Sequence, residues 1–437
     1  MSTIQQLIGP DGVVSAGDVS HITGVYIVDS DGTKHNIFRA FKELNIFEDL
    51  FSPCISGIIT IVDIQNFITH IPILGDETLE FEYKTPSFKE SIKKIFSITK
   101  IDARTYGGDK KLVYEVHFTS QEAVYDIDTK LSKAFTGNAH EIVKTICKNE
   151  LGLKDADIDI EDADNKIKFV APWWSPFKCI NYATARCLLP NSNKLVTPNY
   201  LFYQTLRAYR LKSLTTLFGQ EPYATYVFDN NPMRDEKIDG TSTADIDRMY
   251  NTVISLDYIA SQDRISNLLD GSLSNTVFGM NLLRKIFSVK SYRIQRDFEK
   301  TKHLDEFEIS PIAVGMSRFE NRTTAPQLFN NVNDVSDSII TNRIPLLGQL
   351  DIFKLNMYVM GRTDVEVGMT IDFLMNTYIP FEEWHRDEPR FKKDPYYSGK
   401  YIITAIQHKI DQFSHRMMLQ VSKESSLNQI VFEAFTE

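Results

Sequence analysis

No stretch of the sequence is apolar for long enough to cross a membrane. A membrane-spanning helix needs roughly 18 or more apolar residues in succession, and the best candidate, residues 55–64, is interrupted by Asp63. The first twelve residues contain neither lysine nor arginine, whereas signal and transit peptides carry positive charge. We therefore expect no targeting leader and no membrane insertion.

Cysteine is scarce, and positive charge is not in excess. The four cysteines, Cys54, Cys147, Cys179 and Cys187, are too few and too scattered for a disulfide scaffold or a Cys-rich zinc site. We expect buried thiols in a reducing compartment. The chain carries 48 Lys+Arg against 58 Asp+Glu, a formal net charge of −10. Because phosphate binding requires a surplus of basic residues, we expect no sequence-specific nucleic-acid binding.

Recognisable catalytic and metal-binding patterns are also lacking. His385-Arg386-Asp387 imitates a kinase catalytic loop, but no Gly-rich loop accompanies it. Ser97 and Lys100 have the spacing of a penicillin-binding nucleophile but lie in an alternating strand pattern without a Lys-Thr-Gly partner. The nine histidines form no His-Glu-x-x-His pair. We predict no catalytic, cofactor-binding or metal-binding residues, and we expect that the chain is not an enzyme.

One acidic run imitates a calcium-binding loop. Asp155, Asp157, Asp159 and Glu161 alternate with other residues, but the sixth position lacks glycine and the twelfth is Lys166 rather than glutamate. We therefore expect an exposed strand face. A pair of carboxylates for sugar cleavage stays open, since spacing along the sequence says little about it.

What the chain has in abundance is aromatic residues and strand patterns. In 437 residues, 28 are Phe and 19 are Tyr, and such residues favour strands and packed surfaces. At roughly 100–200 residues per domain, we expect about three structural units. Strand patterns fill the N-terminal part, including 55–64, 78–84 and a hairpin over 96–119. They return at 353–360, 368–374, 401–410 and 416–422.

The middle of the chain changes to helical spacing. Apolar residues recur at helical intervals over 121–134 and 139–151, and Ser175-Pro176 is a typical helix start. A hairpin is predicted from 200–204 and 209–212. Residues 260–330 are the least periodic, and 335–350 are predicted helical although Pro345 weakens that pattern.

Three short blocks from the N-terminal strands reappear in the same order near the C-terminus. The matches are 78–81 (TLEF) with 370–373 (TIDF), 96–101 (FSITKI) with 401–406 (YIITAI), and 120–122 (SQE) with 422–424 (SKE). A β-branched strand precedes each set. The repeat predicts two similar small β-barrels, and three chains in a ring would then present six similar surfaces to a six-fold partner. The alternative is that strand–turn–strand segments look alike because few residue types suit them.

The sequence resembles the baseplate hub protein of contractile-tailed bacteriophages, which is related in fold to the N-terminal part of type VI secretion spike (VgrG) proteins. The resemblance spans most of the chain and is carried by packing patterns rather than catalytic motifs. The matching segments are 45–53 (NIFEDLFSP), 56–63 (SGIITIVD), 71–77 (IPILGDE), 119–122 (TSQE), 131–137 (LSKAFTG), 200–204 (YLFYQ), 209–214 (YRLKSL), 397–408 (YSGKYIITAIQH) and 421–425 (VSKES).

The resemblance implies an α+β, β-dominated fold with two similar small β-barrels, an intervening mixed helical and strand domain, and an irregular insertion. The expected domains are 1–125 (first barrel), 126–225 (mixed), 226–254 with 340–437 (second barrel), and 255–339 (insertion).

It also implies a homotrimer whose paired barrels form a pseudo-six-fold ring. The ring would join the six-fold tail tube to a trimeric cell-puncturing spike on a separate polypeptide, beside baseplate wedge or other tail proteins. We expect a virion protein of the tail baseplate, assembled in the host cytoplasm.

Three alternatives stay open at this stage. One is a tail-associated cell-wall-degrading or carbohydrate-binding protein. The second is a secretion-system spike subunit, which the absence of a β-helical repeat after Glu424 disfavours. The third is the hub of a tail-derived injection device, which would need the same ring between a tube and a spike.

Overall fold

The computed structural model is dominated by β-strands, which confirms the α+β, β-dominated fold class. An N-terminal and a C-terminal strand set are separated in sequence by a helical central part and an insertion. The structure describes residues 21–64, 67, 75–85, 91–107, 111–190, 197–229, 248–261, 271–281, 285–308, 316–319, 338–378 and 391–428.

The first strand set curls around a core of aliphatic and aromatic side chains. Its strands are β1 (His21–Val28), β2 (Lys34–Asn36), β3 (Phe41–Asp49), β4 (Ser56–Asp63), β5 (Thr78–Lys84), β6 (Ile92–Gly107) and β7 (Lys111–Ser120). The ladder runs β3-β4-β7-β6-β5-β1-β2. Alternate residues face inward, as expected for strands with one buried face. The two ends meet where Ile37 N donates to Val25 O and Phe41 N donates to Ile37 O, both at 2.9 Å.

The central part has its own core, built from helices packed on short strands. The predicted helix over 121–134 is wrong in its second half: it ends at Asp128, and Ala134–Asn138 pairs as a strand with Lys166–Val170. Its elements are α1 (Gln121–Asp128), β8 (Ala134–Asn138), α2 (Ala139–Asn149), β9 (Ile158–Ile160), β10 (Lys166–Val170), α3 (Pro176–Thr184), β11 (Tyr200–Gln204), β12 (Tyr209–Ser213) and α4 (Leu214–Phe218).

The insertion and the C-terminal strands follow. Their elements are β13 (Thr225–Asp229), β14 (Ser255–Ser261), β15 (Ser274–Asn281), β16 (Ile286–Arg293), α5 (Ile294–Asp297), β17 (Phe307–Glu308), β18 (Met316–Phe319), α6 (Ile344–Gln349), β19 (Phe353–Met360), β20 (Thr370–Tyr378), β21 (Phe391–Lys393), β22 (Gly399–Asp411), β23 (His415–Lys423) and β24 (Ser425–Ser426). A π-helix, Ile339–Arg343, precedes α6. Pro345 lies in the first turn of α6, where its missing N–H is tolerated.

The second strand set also curls until its ends meet. Its ladder runs β14-β19-β23-β22, and β22 continues to β20 and then to β13. A parallel bridge between Val227 and Thr252, and a 3.0 Å bond from Val253 N to Val227 O, bring the segment before β14 against β13. This set encloses a second core that includes Leu355, Ile371 and Tyr401.

Corresponding strands of the two sets pair in the same order and register. The order β4-β7-β6-β5 matches β19-β23-β22-β20. Leu79 faces Phe96, and Ile371 faces Tyr401, as the repeated blocks require.

Each set also has a bulge at the same threonine of the repeat. Thr99 is the unpaired residue between Ile98 and Lys100, and Thr404 is the unpaired residue between Ile403 and Ala405. The Thr99 hydroxyl donates to His117 O, and the Thr404 hydroxyl donates to Gln420 O, both at 3.2 Å. Shared order, register and bulge go beyond what residue preference for strands requires.

The third repeated block is displaced by one residue. Thr119 pairs with Ser97, and Ser422 pairs with Ile402, so Thr119 rather than Ser120 corresponds to Ser422. The sets differ elsewhere too, because β1 is antiparallel to β5 whereas β13 is parallel to β20. The domain boundaries drawn from the sequence stay predictions.

Of the two bulge threonines, the buried Thr404 is expected to contribute more to the free energy of unfolding than the exposed Thr99. Thr404→Val should lower the free energy of unfolding by about 1–2 kcal/mol, because it removes a buried hydroxyl that bonds a main-chain carbonyl. Thr99→Val removes the same bond at an exposed position and should cost less than about 0.5 kcal/mol. Urea titration followed by circular dichroism measures both, and equal losses would contradict this reasoning.

Candidate functional site

The two strand sets are joined by one antiparallel ladder between β3 and β22. Its register runs from Ala405 opposite Asp49 to Asp411 opposite Glu43 without a break. Leu50 N also donates to Thr404 O at 2.8 Å. The ladder makes the two sets one continuous sheet, so their relative orientation is fixed by main-chain hydrogen bonds. We call this ladder the junction.

A buried polar chain lies under the junction. Glu48 on β3 accepts from His408 Nε2 at 3.1 Å, and His408 Nδ1 accepts from His415 Nε2 at 3.1 Å. All three residues are at most 1% exposed. Burial and the neighbouring His408 ring hold the pKa of His415 well below its ordinary value, which keeps that ring neutral.

Close packing holds the second imidazole in place. Gly361 N donates to His415 O at 2.8 Å. A Cβ atom on Gly361 would lie 2.1 Å from His415 Cγ, so a larger residue there would displace the ring. Glycine at this position is therefore a requirement of the junction.

A buried carboxylate links the second strand set to the central hairpin. Glu366 is 2% exposed and binds Arg207 Nε at 3.1 Å and Arg210 Nη2 at 2.6 Å. Burial raises the pKa of Glu366, and the Arg210 charge opposes that rise. Removing either arginine would weaken the compensation for a buried charge.

The hairpin of β11 and β12 contacts all three cores. Phe202 and Leu211 pack in the central core, Tyr203 packs in the second strand set, and Leu206 at the turn packs in the first. The side-chain oxygen of Gln204 also accepts from Ile55 N at 2.8 Å. The sequence predicted this hairpin at the right residues but not its position between the three cores.

Hydrogen bonds and an ion pair between the C-terminal strands and the insertion hold the insertion in place. Glu424 accepts from Leu304 N and bonds His303 Nδ1, both at 2.8 Å. Asp305 lies 3.8 Å from Lys423 Nζ. Burial raises the pKa of Asp305 to about 6 and lowers that of Lys423 to about 8. The repeated Ser-Lys-Glu block therefore anchors the insertion in the second copy of the repeat.

The acidic run that imitates a calcium loop is spread over separate ion pairs and hydrogen bonds. Asp155 binds Lys148 at 2.5 Å, Asp159 binds Lys212 at 2.7 Å, and Glu161 accepts from Ser213 N at 2.9 Å. The predicted strand face is correct only for β9, because Asp155–Asp157 form a short 3-10 helix. Within the described ranges, no three His, Cys, Asp or Glu side chains are grouped so as to hold a metal ion.

The other residues singled out in the sequence lie in a strand, in buried or half-buried positions or outside the described part of the chain. Ser97 and Lys100 lie in β6, where the amine of Lys100 binds Asp102. The His385-Arg386-Asp387 segment lies outside the described residues. Cys147, Cys179 and Cys187 are buried free thiols, whereas Cys54 is only half-buried. No helix in the described part of the chain is long and apolar enough to cross a membrane.

Sequence reasoning missed β3, although this strand carries the junction. The reason is Glu48, which places a charged residue at a buried position and so breaks the alternation of Leu44 and Ile46. Its partner His408 lies 360 positions along the chain, and no local pattern links the two. The only usable local signal was the alternation of Leu44 and Ile46 before that interruption.

His415 is expected to make folding sensitive to acid. Its folded-state pKa is far below the ordinary value of about 6.5, so the unfolded chain binds a proton that the folded chain does not. Stability therefore falls as the pH drops through about 6.5. His415→Gln should lose less unfolding free energy than the wild type between about pH 7.5 and about pH 5 in urea titrations.

A matched substitution separates this effect from a general loss of histidine. His117 is partly exposed on the outward face of β7, and His117→Gln should keep the wild-type pH dependence. Identical pH dependence in all three proteins would contradict the role assigned to the buried imidazole.

No protein-family model and no curated protein sequence matches the chain. Solved structures do share its fold. The tail protein from Neisseria meningitidis MC58 aligns with 12% identity and a TM-score of 0.50, over 92% of this chain and 96% of its own. The 43 kDa tail protein of prophage MuSo2 from Shewanella oneidensis aligns with 8% identity and a TM-score of 0.54, over 92% of this chain and 98% of its own.

A component of the type VI secretion system of E. coli aligns more weakly, with 8% identity and a TM-score of 0.43 over 94% of this chain and 79% of its own. The fold assignment rests on the first two structures. The chain has the fold of these tail proteins, so the resemblance in fold inferred from its sequence is confirmed.

Proposed function

We propose that this chain is the structural hub of a phage tail baseplate. Three copies form a ring in which the two strand sets of each chain alternate, giving six similar positions. The ring joins a six-fold tail tube on one side to a trimeric cell-puncturing spike on the other. Its location is the tail baseplate of the virion, after assembly in the host cytoplasm.

The observation that carries this proposal is the duplication inside one chain. Strand order, register and a threonine bulge are shared by the two strand sets. A ring of identical chains has only the symmetry of its chain number. A chain that carries two similar units doubles the number of similar docking positions, which is what a junction between threefold and sixfold partners requires.

Exposed aromatic and aliphatic side chains support assembly with other proteins. Tyr106 is 84% exposed, and Phe413, Ile127 and Trp173 are also largely exposed. Burying such side chains contributes roughly 25 cal/mol per Å² of apolar area. Permanent interfaces of this type commonly exceed about 2,000 Å². The proposed partners are further copies of this chain, the tube protein, the spike, and wedge or other tail proteins.

DNA would pass through the ring during genome ejection, so its bore should not bind phosphate. A net charge of −10 is compatible with a neutral or acidic bore. Sequence-specific nucleic-acid binding forms no part of the proposed role. A strongly positive bore in an assembled ring would contradict this aspect of the proposal.

Light scattering is expected to show a trimer. The chain alone should have a mass of about 150 kDa, three times the 50.2 kDa of one copy. If it trimerises only on co-expression with the spike protein, the complex should contain this same mass plus that of the spike. The trimer should form because a ring buries edges that a single chain exposes. A stable dimer or tetramer under both conditions would contradict the proposed symmetry.

We also propose that the role is structural and not enzymatic. Purified protein should release no soluble fragments from cell-wall peptidoglycan, with lysozyme as the positive control. Clearing of that substrate, together with its loss after neutralisation of a single carboxylate, would favour the cell-wall-degrading alternative instead.

A further inference from the structure

Among the described residues, two of the strand edges that lack a partner belong to the two strand sets at matching places of the repeat. The half of β6 from Lys100 to Gly107 is bonded to β7 on one side only, since β5 pairs with the earlier half. Strand β14 is bonded to β19 on one side only. Unpaired edges present rows of free N–H and C=O groups that another strand can satisfy.

These two edges correspond, through the repeat, to the two strands of the junction. Strand β6 occupies the place of β22, because both lie between matching neighbours in the ladder. Strand β14 occupies the place of β3, because β14 pairs with β19 as β3 pairs with β4. Each edge that is free in one strand set is therefore paired in the other.

We propose that β14 of one copy pairs antiparallel with the Lys100–Gly107 half of β6 in a second copy. This contact repeats the junction between chains. It rests on the proposed ring, and it names the main-chain surfaces through which the copies join. Because each chain offers one edge of each kind, the contact is head-to-tail and can close only as a ring or continue as a filament.

The register of the two edges supports this pairing. Relative to β22, β6 has one extra residue at Ala103 and Arg104. Relative to β3, β14 has one extra residue at Ile259.

The two extra residues fall opposite each other when the junction register is transferred. In the junction, Gln407 faces Phe47 and Lys409 faces Asn45. The corresponding pairs between copies are Asp102 with Ala260 and Thr105 with Asp257. Two residues lie between these pairs on each strand, so the ladder stays in register from 101 opposite 261 to 107 opposite 255. A single uncompensated insertion would have interrupted it.

Burial of equivalent side chains differs between the paired strand β22 and the unpaired half of β6, as expected if β6 lacks a partner strand in a single chain. Ile410 on β22 is fully buried within the core of the first strand set. Its counterpart Tyr106 on β6 is 84% exposed. In the transferred register Tyr106 faces Leu256, which packs only partly against the second core. The exposed tyrosine thus corresponds to a residue that is buried where the partner strand is present.

Charges along the two edges are compatible with pairing. Arg104 on β6 and Asp257 on β14 are both exposed. The transferred register places them one position apart across the ladder. Asp102, the other charged residue on this part of β6, is already bound by the amine of Lys100 and so adds little repulsion beside Asp257. The main chain and Tyr106 supply most of the contact.

Disulfide cross-linking tests the register directly. Thr105→Cys with Asp257→Cys in one chain should give covalent dimers and trimers on oxidation. The matched control is Lys409→Cys with Asn45→Cys, the equivalent pair inside the junction, which should link within one chain and stay monomeric on a denaturing gel. Each single variant and the wild type should give no covalent ladder. An unlinked double variant beside a linked control would overturn the proposal.

A second variant tests the same surface without cross-linking. Tyr106→Asp should raise the dissociation constant of the trimer at least about tenfold, because a charge replaces an apolar ring in the contact. The control is Phe413→Asp, an equally prominent aromatic at the β22–β23 turn, which should leave the trimer intact. Because both side chains are exposed, both variants should fold normally by circular dichroism.

The outcomes separate this inference from the proposed function. A Tyr106→Asp protein that trimerises as tightly as the wild type would overturn the edge pairing and leave the hub proposal standing. A wild type that is monomeric at every concentration, both alone and on co-expression with the spike protein, together with a double variant that does not cross-link, would overturn both. A covalent trimer from the Thr105 and Asp257 pair supports both.

Discussion

Main-chain pairing between β3 and β22 is the constraint on which the rest of the structure depends. It places two curled strand sets in one sheet and leaves them no hinge at their boundary. The buried chain Glu48–His408–His415 lies directly beneath it and couples both sets through side chains as well. A buried polar chain of this kind adds specificity of register, because a one-residue slip would leave each of its groups without a partner.

The local patterns of the sequence identify most of the strands, because one face of each is buried and the other is not. The hairpin at β11 and β12 and the strand β19 were predicted within one residue. The repeat was predicted as well, and the ladder shows equivalent pairs, Leu79 with Phe96 and Ile371 with Tyr401. Such features depend on residues close in sequence, where periodicity is informative.

The features that escaped prediction depend on residues far apart. Strand β3 was missed because Glu48 needs a histidine from the other end of the chain to be buried. The third block of the repeat was displaced by one because Ser120 and Ser422 share a residue type, whereas their true equivalence is set by strand pairing, which places Thr119 opposite Ser97 and Ser422 opposite Ile402. The end of α1 was missed because β8 is specified by pairing with β10, which outweighs helical spacing. The edges of β6 and β14 proposed for assembly likewise cannot be found from the sequence, because they are defined by which of the described strands have no hydrogen-bonded neighbour on one side.

The hairpin that reaches all three cores has a consequence for dynamics. A unit that shares a buried element with its neighbours cannot open alone without exposing apolar surface in each of them. We therefore expect sub-global opening to be suppressed around Tyr203, Leu206 and Leu211, and amide hydrogens there to exchange with solvent mainly through unfolding of the whole chain. A protein arranged in this way transmits force between its parts instead of yielding at a weak boundary.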